Sequence, residues 1–283
     1  MSIGKWLELC RIRISLFSVM AAATGYLLAA PRPGPRLLAL AAGVILLACG
    51  SSALNQLLER KTDALMPRTS GRPLPSGRTG PAGALFFSAA LITSGAVVLG
   101  MYGGLLPAAM GLFAVFWYGA VYTPLKRKTA FAAVPGALIG AILPAIGWVY
   151  GGGALASPGY VLPCFFFYMW QIPHFWLFIS EYGEEYEKAG LPSLAAVFSE
   201  RQLSRIIFSW NLSCAASAML LVLGSSGRAI TYGLAAVAAW MALSGAAVLR
   251  NREGKRKSYL FAWKGMNAAM LAVMCLLSAD RIF

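Results

Sequence analysis

Nine apolar runs punctuate this chain, at about 14–30, 37–58, 81–100, 104–122, 131–150, 159–180, 204–223, 229–249 and 259–279. Each approaches the roughly 17–25 residues that a helix needs to cross a bilayer. The fourth is the shortest, interrupted by Pro107 and three glycines. Charged residues make up only 12% of the chain and hydrophobic ones 59%, with a mean hydropathy of +0.67. A soluble domain carries about twice that charge fraction. The expected fold is an all-α polytopic membrane protein forming a single domain over 1–283.

The few charges are unevenly spread. With the N-terminus inside, nineteen of the 24 lysines and arginines fall on inner segments. That asymmetry predicts a cytoplasmic N-terminus and an outer C-terminus. The net charge of +14 is then mainly topology plus attraction to anionic lipid of the bilayer. Nucleic acid is not an expected partner, because no soluble basic domain remains to bind it. The first run is read as an uncleaved span: Pro31 follows the one plausible small-residue cleavage site, Leu28-Ala29-Ala30. The five cysteines, at 10, 49, 164, 214 and 275, form no CxxC pair and read as packing thiols.

Chemistry concentrates at the inner ends of the runs. Asn55, Glu59 and Asp63 are each four residues from the next, which stacks three oxygen-bearing side chains on one helical face. Asn55 lies within the apolar run, where a polar group is costly and tends to be functional. Arg68 and Arg72 follow immediately. Oxygen ligands suit a hard cation such as Mg²⁺, and guanidinium groups bind phosphate oxygens bidentately. The pattern fits a magnesium diphosphate at a membrane face. Without the upstream acids, the two arginines would be no more than inner-loop cations.

Three further segments stand out. Inner loops of about 59–80 and 181–203 are long, whereas the outer ones are short and rich in Gly or Pro. The second begins EYGEEYEKAGLPSL, in which Glu181, Glu184 or Glu185, and Lys188 can share a helical face, either as a second metal site or as a solvated surface. Tyr122-Thr123-Pro124-Leu125-Lys126-Arg127 ends the fourth run; Lys126 and Arg127 either set topology or neutralise an anion. Trp170-Gln171-Ile172-Pro173-His174-Phe175 holds the chain's one histidine inside a span, among aromatics suited to a flat apolar ligand. One histidine cannot grip haem between two histidines of a single chain.

Together these motifs resemble the UbiA superfamily of intramembrane prenyltransferases and, within it, the protohaem IX farnesyltransferase (haem O synthase) family. The resemblance spans essentially the whole chain. It rests first on Asn55-xxx-Glu59-xxx-Asp63-xx-Met66-x-Arg68-Thr69-xx-Arg72-Pro73, then on the Tyr122–Arg127 and Trp170–Phe175 segments. Departures are Glu185-Tyr186 where the family usually has Asp-Tyr, Glu181-Tyr182 where basic residues are common, and Leu143-Pro144 in place of a double proline.

The resemblance implies about nine helices around a central cavity, in the plasma (inner) membrane. It implies transfer of a farnesyl group from farnesyl diphosphate to a vinyl group of haem B, a substrate rather than a cofactor. Mg²⁺ would be held by Asn55, Glu59, Asp63 and Glu185. Arg68, Arg72, Lys126 and Arg127 would take the leaving diphosphate charge. Trp170, Gln171, His174, Tyr122 and Tyr186 would contact substrate, and Trp117, Tyr118, Phe175 and Trp176 would line the cavity. A downstream haem-modifying enzyme or oxidase assembly is the implied partner. The alternatives left open are a UbiA-type transferase acting on an aromatic quinone precursor, and a membrane transporter.

Overall fold

The computed structural model describes residues 4–250 and 255–282. A short helix α1 (Gly4–Cys10) leads into α2 (Ile12–Ala29), α3 (Pro35–Asp63), α4 (Pro81–Gly103), α5 (Leu105–Phe116), α6 (Leu138–Tyr150), α7 (Val161–Lys188), α8 (Glu200–Leu220), α9 (Arg228–Arg250) and α10 (Lys255–Ile282). Among the described residues no strand occurs, and nine helices are long and apolar enough to cross a membrane. The protein is therefore an integral membrane protein. The expected spans agree with the helices to within a few residues, except where polar ends continue as helix.

Two such continuations shorten the inner loops that sequence reading left open. The second span runs on as helix to Asp63, so the whole Asn55–Asp63 face is regular. The sixth runs on to Lys188, bending where Tyr182 leaves helical geometry (φ −114°, ψ 19°). In both cases helical geometry continues past the apolar run into the polar motif. The fourth span also departs from expectation. After α5 the chain opens into a π-helix at Trp117–Tyr122 before the short turn Thr123–Leu125. Such bulges frequently mark functional positions.

Lipid supplies no hydrophobic drive between helices, so close backbone approach has to hold them together. Glycines provide it. A Cβ on Gly25 of α2 would lie 1.9 Å from the Pro144 carbonyl oxygen of α6, and one on Gly147 would lie 1.8 Å from the Ala22 oxygen. Between α3 and α4, Gly43 and Gly95 pack in the same way, and Ser88 donates to the Gly50 carbonyl at 2.8 Å. Neighbours pack in chain order, α10 returns to α2, and Thr24 meets Ser278 at 3.4 Å across that seam. The helices thus close into a ring, cross-tied by α2 on α6 and α7 on α10. One apolar core serves α2 to α6 and another serves α6 to α10.

Candidate functional site

The polar motifs gather at one end of this ring. Asn55, Glu59 and Asp63 are 2%, 6% and 2% exposed, an unusual burial for a row of oxygen donors. Each is met by a different partner. The Asn55 amide donates to Thr123 Oγ1 at 3.1 Å, and Thr123 donates onward to the Tyr118 carbonyl at 2.8 Å. That carbonyl belongs to the π-helix, whose wider turn presents it. Glu59 pairs with Lys126, and Asp63 Oδ2 pairs with Arg72 Nη1 at 2.8 Å. The Asp63 backbone carbonyl accepts from Thr69 Oγ1 at 2.7 Å, which folds the Arg68–Arg72 segment back over the helix end.

The second inner motif meets the first through aromatic rings. The Arg68 guanidinium lies 5.1 Å from the ring centroids of both Phe178 and Tyr182 on α7, and the Lys126 ammonium lies 6.0 Å from Tyr186. Tyr186 is buried against Met66 and Leu191. Burial alone would push the Lys126 ammonium down, but the Glu59 carboxylate beside it prevails and holds it above the usual lysine range. Arg72, mostly desolvated and near Arg11 and Arg68, is pulled below the usual arginine range despite Asp63. Crowded, partly desolvated cations of this kind are a ready receptor for a multivalent anion.

Trp170, His174, Phe178 and Tyr182 recur every four residues and form one ladder along α7. Trp170 stacks on His174 at 4.4 Å, and Phe178 meets Tyr182 at 4.8 Å. Trp263 of α10 touches both middle rungs, at 5.7 Å from His174 and 6.0 Å from Phe178. Arg68 caps the ladder. The His174 Nδ1 atom is enclosed with no partner. Beside it, Tyr118, Tyr122 and Phe175 stack in series at 5.6 and 5.7 Å. These rings make an apolar wall directly below the charged end.

Not every expected residue joins this cluster. Arg127 donates at 2.6 Å to the Leu58 carbonyl, bracing the outer side of α3. Trp176 is buried between Phe131 and Trp210, and Trp117 donates to the Pro135 carbonyl, so both are packing residues and not part of the wall. Trp170 spends its N–H on the Met266 carbonyl at 2.9 Å, and Gln171 Oε1 sits by Gly140 at the α6–α7 contact. Glu185 keeps one buried carboxylate oxygen without a partner, while Glu187 turns away to Ser193. The Glu181 side chain lies outside the described residues. Among the described residues, no three acidic, histidine or cysteine side chains converge on one point.

Thr123, Phe178 and Tyr182 belong to the cluster but were not singled out as site residues. A buried Asn55 demands a hydrogen-bond partner, and Thr123 was the hydroxyl within the quoted motif. The fourfold spacing from His174 was likewise visible for Phe178 and Tyr182.

The sequence of residues 16–271 matches the UbiA prenyltransferase family. A protein of Geobacter sulfurreducens named protoheme IX farnesyltransferase is 41% identical over 76% of this chain and 79% of its own length. One of the same name from Nitratidesulfovibrio vulgaris is 36% identical over 97% and 94%. Among solved structures, an apo UbiA homolog from Aeropyrum pernix shares the fold at a TM-score of 0.75 and 21% identity, covering 95% of this chain and 97% of that one. A UbiA homolog from Archaeoglobus fulgidus bound to GPP and Mg²⁺ does so at 0.69 and 15%, covering 96% and 99%.

Proposed function

The chain belongs to the UbiA prenyltransferase family, and from that premise we propose that it is a protohaem IX farnesyltransferase. It transfers farnesyl from farnesyl diphosphate to a vinyl group of haem B, giving haem O and diphosphate. The observation that carries the reading is the juxtaposition of a buried oxygen-donor row, flanked by Arg68, Arg72 and Lys126, with an aromatic wall holding His174. Relatives named for this activity, similar over 76% and 97% of the chain, support the same acceptor.

The donor set fits Mg²⁺. The Asn55 amide oxygen, the carboxylates of Glu59 and Asp63, and the unpartnered Glu185 oxygen are hard ligands of the kind such an ion takes together with phosphate oxygens. Mg²⁺, when bound there, would neutralise the diphosphate oxygens and favour their departure. Arg68 and Arg72 bind those oxygens, and Lys126 adds a charge fixed by Glu59. As the allylic carbon–oxygen bond breaks, the faces of Tyr118, Tyr122 and Phe175 stabilise the cation and exclude water. The haem vinyl π electrons form the new carbon–carbon bond. The resulting cation on the haem side takes a hydroxyl from water, whose proton departs, leaving the hydroxyethylfarnesyl group. His174 contacts haem, at the iron or by orienting the porphyrin; Gln171 lies one turn away on α7 and Tyr186 at its charged end, beside Lys126. Arg127 braces α3 in support of this site.

The cations of the inner loops support a site end that faces the cytoplasm, in the plasma membrane. The product would pass to a downstream haem-modifying enzyme or oxidase assembly. The test is incubation of detergent-purified protein with haem B, farnesyl diphosphate and Mg²⁺, following pigment mass by chromatography. A product heavier by a farnesyl group plus a hydroxyl that vanishes on chelation is the expected result. Product with a quinone-ring acid but none with haem would overturn the acceptor and leave the prenyl-transfer site.

A further inference from the structure

Arg72 is set in place by a residue that lies outside the site. Arg78 donates twice to Glu8 of α1, at 3.0 and 2.6 Å, and also to the Gly71 carbonyl at 2.6 Å and to Ser76 Oγ at 3.1 Å. Gly71 immediately precedes Arg72. Ser76 in turn donates its hydroxyl and its backbone N–H to the Arg72 carbonyl, at 2.6 and 3.0 Å. The one guanidinium of Arg78 therefore grips the chain on both sides of Arg72. The turn between them passes through Gly77 at φ +73°, a left-handed geometry natural to glycine.

The other end of this grip is anchored to the site helix itself. Gln56, buried beside Asn55 on α3, donates to the carbonyls of Glu8 at 3.4 Å and Leu9 at 2.9 Å. A closed circuit results: Gln56 of α3 holds α1, Glu8 of α1 holds Arg78, Arg78 holds the backbone at Gly71 and Ser76, and Arg72 returns to Asp63 of α3. Lys5 adds a bond to the Arg78 carbonyl at 3.4 Å, and Trp6 packs on Phe87 at 4.7 Å. An exposed ion pair contributes little to global stability. An arginine that joins two bonds to Glu8 with two to the loop at Gly71 and Ser76 instead orders that loop, since its planar fork loses little freedom per bond formed.

We infer that Arg78, latched to Glu8 of α1, is a positioning residue that presets Arg72 for the prenyl diphosphate. The inference rests on the reading of Arg72 as a diphosphate ligand. The latch works by fixing the loop before substrate arrives, so that the diphosphate meets an ordered cation and does not have to order one. The α1–α2 junction supports the arrangement: Arg11 there holds a left-handed backbone (φ 45°), and its charge reaches Arg72.

The test compares wild type with Arg78→Ala, Arg78→Lys, Glu8→Ala and the Glu8→Ala/Arg78→Ala double variant. Binding of farnesyl diphosphate with Mg²⁺, binding of haem B, thermal stability, and hydrogen exchange of the amides at Ser76 and Thr79 are each measured on the detergent-purified full chain. Arg78→Ala is expected to weaken farnesyl diphosphate about tenfold, the scale typical of residues that orient a ligand-binding group. Haem binding and Tm stay at wild-type values, and exchange at Ser76 and Thr79 accelerates. Arg78→Lys keeps the charge without the fork and recovers only part of the affinity. The double variant is no weaker than Arg78→Ala alone, because both changes open the same circuit. An Arg78→Ala affinity within twofold of wild type, or unchanged exchange, overturns the latch. So does an equal loss of haem binding and Tm, which would make Arg78 a general structural residue. Wild type that binds farnesyl diphosphate yet makes no farnesylated haem overturns the proposed acceptor and leaves the latch standing; wild type that binds none overturns both.

Discussion

Asn55 is the residue on which the reading of the site turns. Its burial at 2% exposure inside an apolar helix needs compensation, and Thr123 satisfies only its donor side. Alanine at Asn55 or at Asp63 should abolish farnesyl transfer with the protein still inserted at normal levels; full activity in either variant would remove the proposed mechanism. Arg68 makes a finer prediction. Stacked on Phe178 and Tyr182, it cannot be replaced by lysine without losing both its fork and its stacking. Arg68→Lys should cost about 0.5–2 kcal/mol of diphosphate binding, read as a rise in KM for farnesyl diphosphate. Lys126 carries the pH prediction. Its pKa is raised by Glu59, so the paired ammonium persists below the ordinary lysine range and is lost only as pH rises through that elevated value. Activity should therefore show no Lys126-linked decline between about pH 7 and 10. An alkaline limb in that window, absent from Lys126→Met assayed on its residual rate, would contradict the pairing. The residue types were legible from sequence, because spacing fixes which side chains share a helical face. Which cation pairs with which acid was not, because Lys126 and Glu59 meet across 67 positions of chain.

At the scale of elements, the spans were readable to within a few residues, since length and hydropathy decide what crosses a bilayer. What composition could not disclose is where a helix changes pitch. The π-helix at Trp117–Tyr122 leads Thr123 onto Asn55 of α3 and Tyr122 onto Phe175 of α7, and α7 bends at Tyr182 where Arg68 docks. Helix pairing likewise rests on glycines whose packing partners are remote in sequence. Gly147→Leu would drive a side chain into the Ala22 carbonyl, where even a Cβ would sit at 1.8 Å. A loss of at least about 1–3 kcal/mol is expected, seen as a lowered Tm in detergent, since backbone cannot yield as a side chain can. An unchanged Tm would show that α2 and α6 do not approach so closely.

The whole molecule is a ring of helices with its chemistry at one end and its positive charge distributed to match. We propose that this end is cytoplasmic. Ser226→Cys should then react with a membrane-impermeant maleimide in intact cells, and Arg201→Cys only after permeabilisation; the reverse pattern would invert the topology. By itself the sequence determined the membrane class, the spans, the charge asymmetry and the residues able to bind a metal diphosphate, because these depend on local composition and helical period. Only the tertiary structure decided that Arg127 braces a helix, that Trp176 is core, that Arg68 caps an aromatic ladder, and that Arg78 ties Arg72 to α1. Those outcomes depend on which of several equivalent charges and rings come within a few ångströms of each other, and closure of the ring sets those distances.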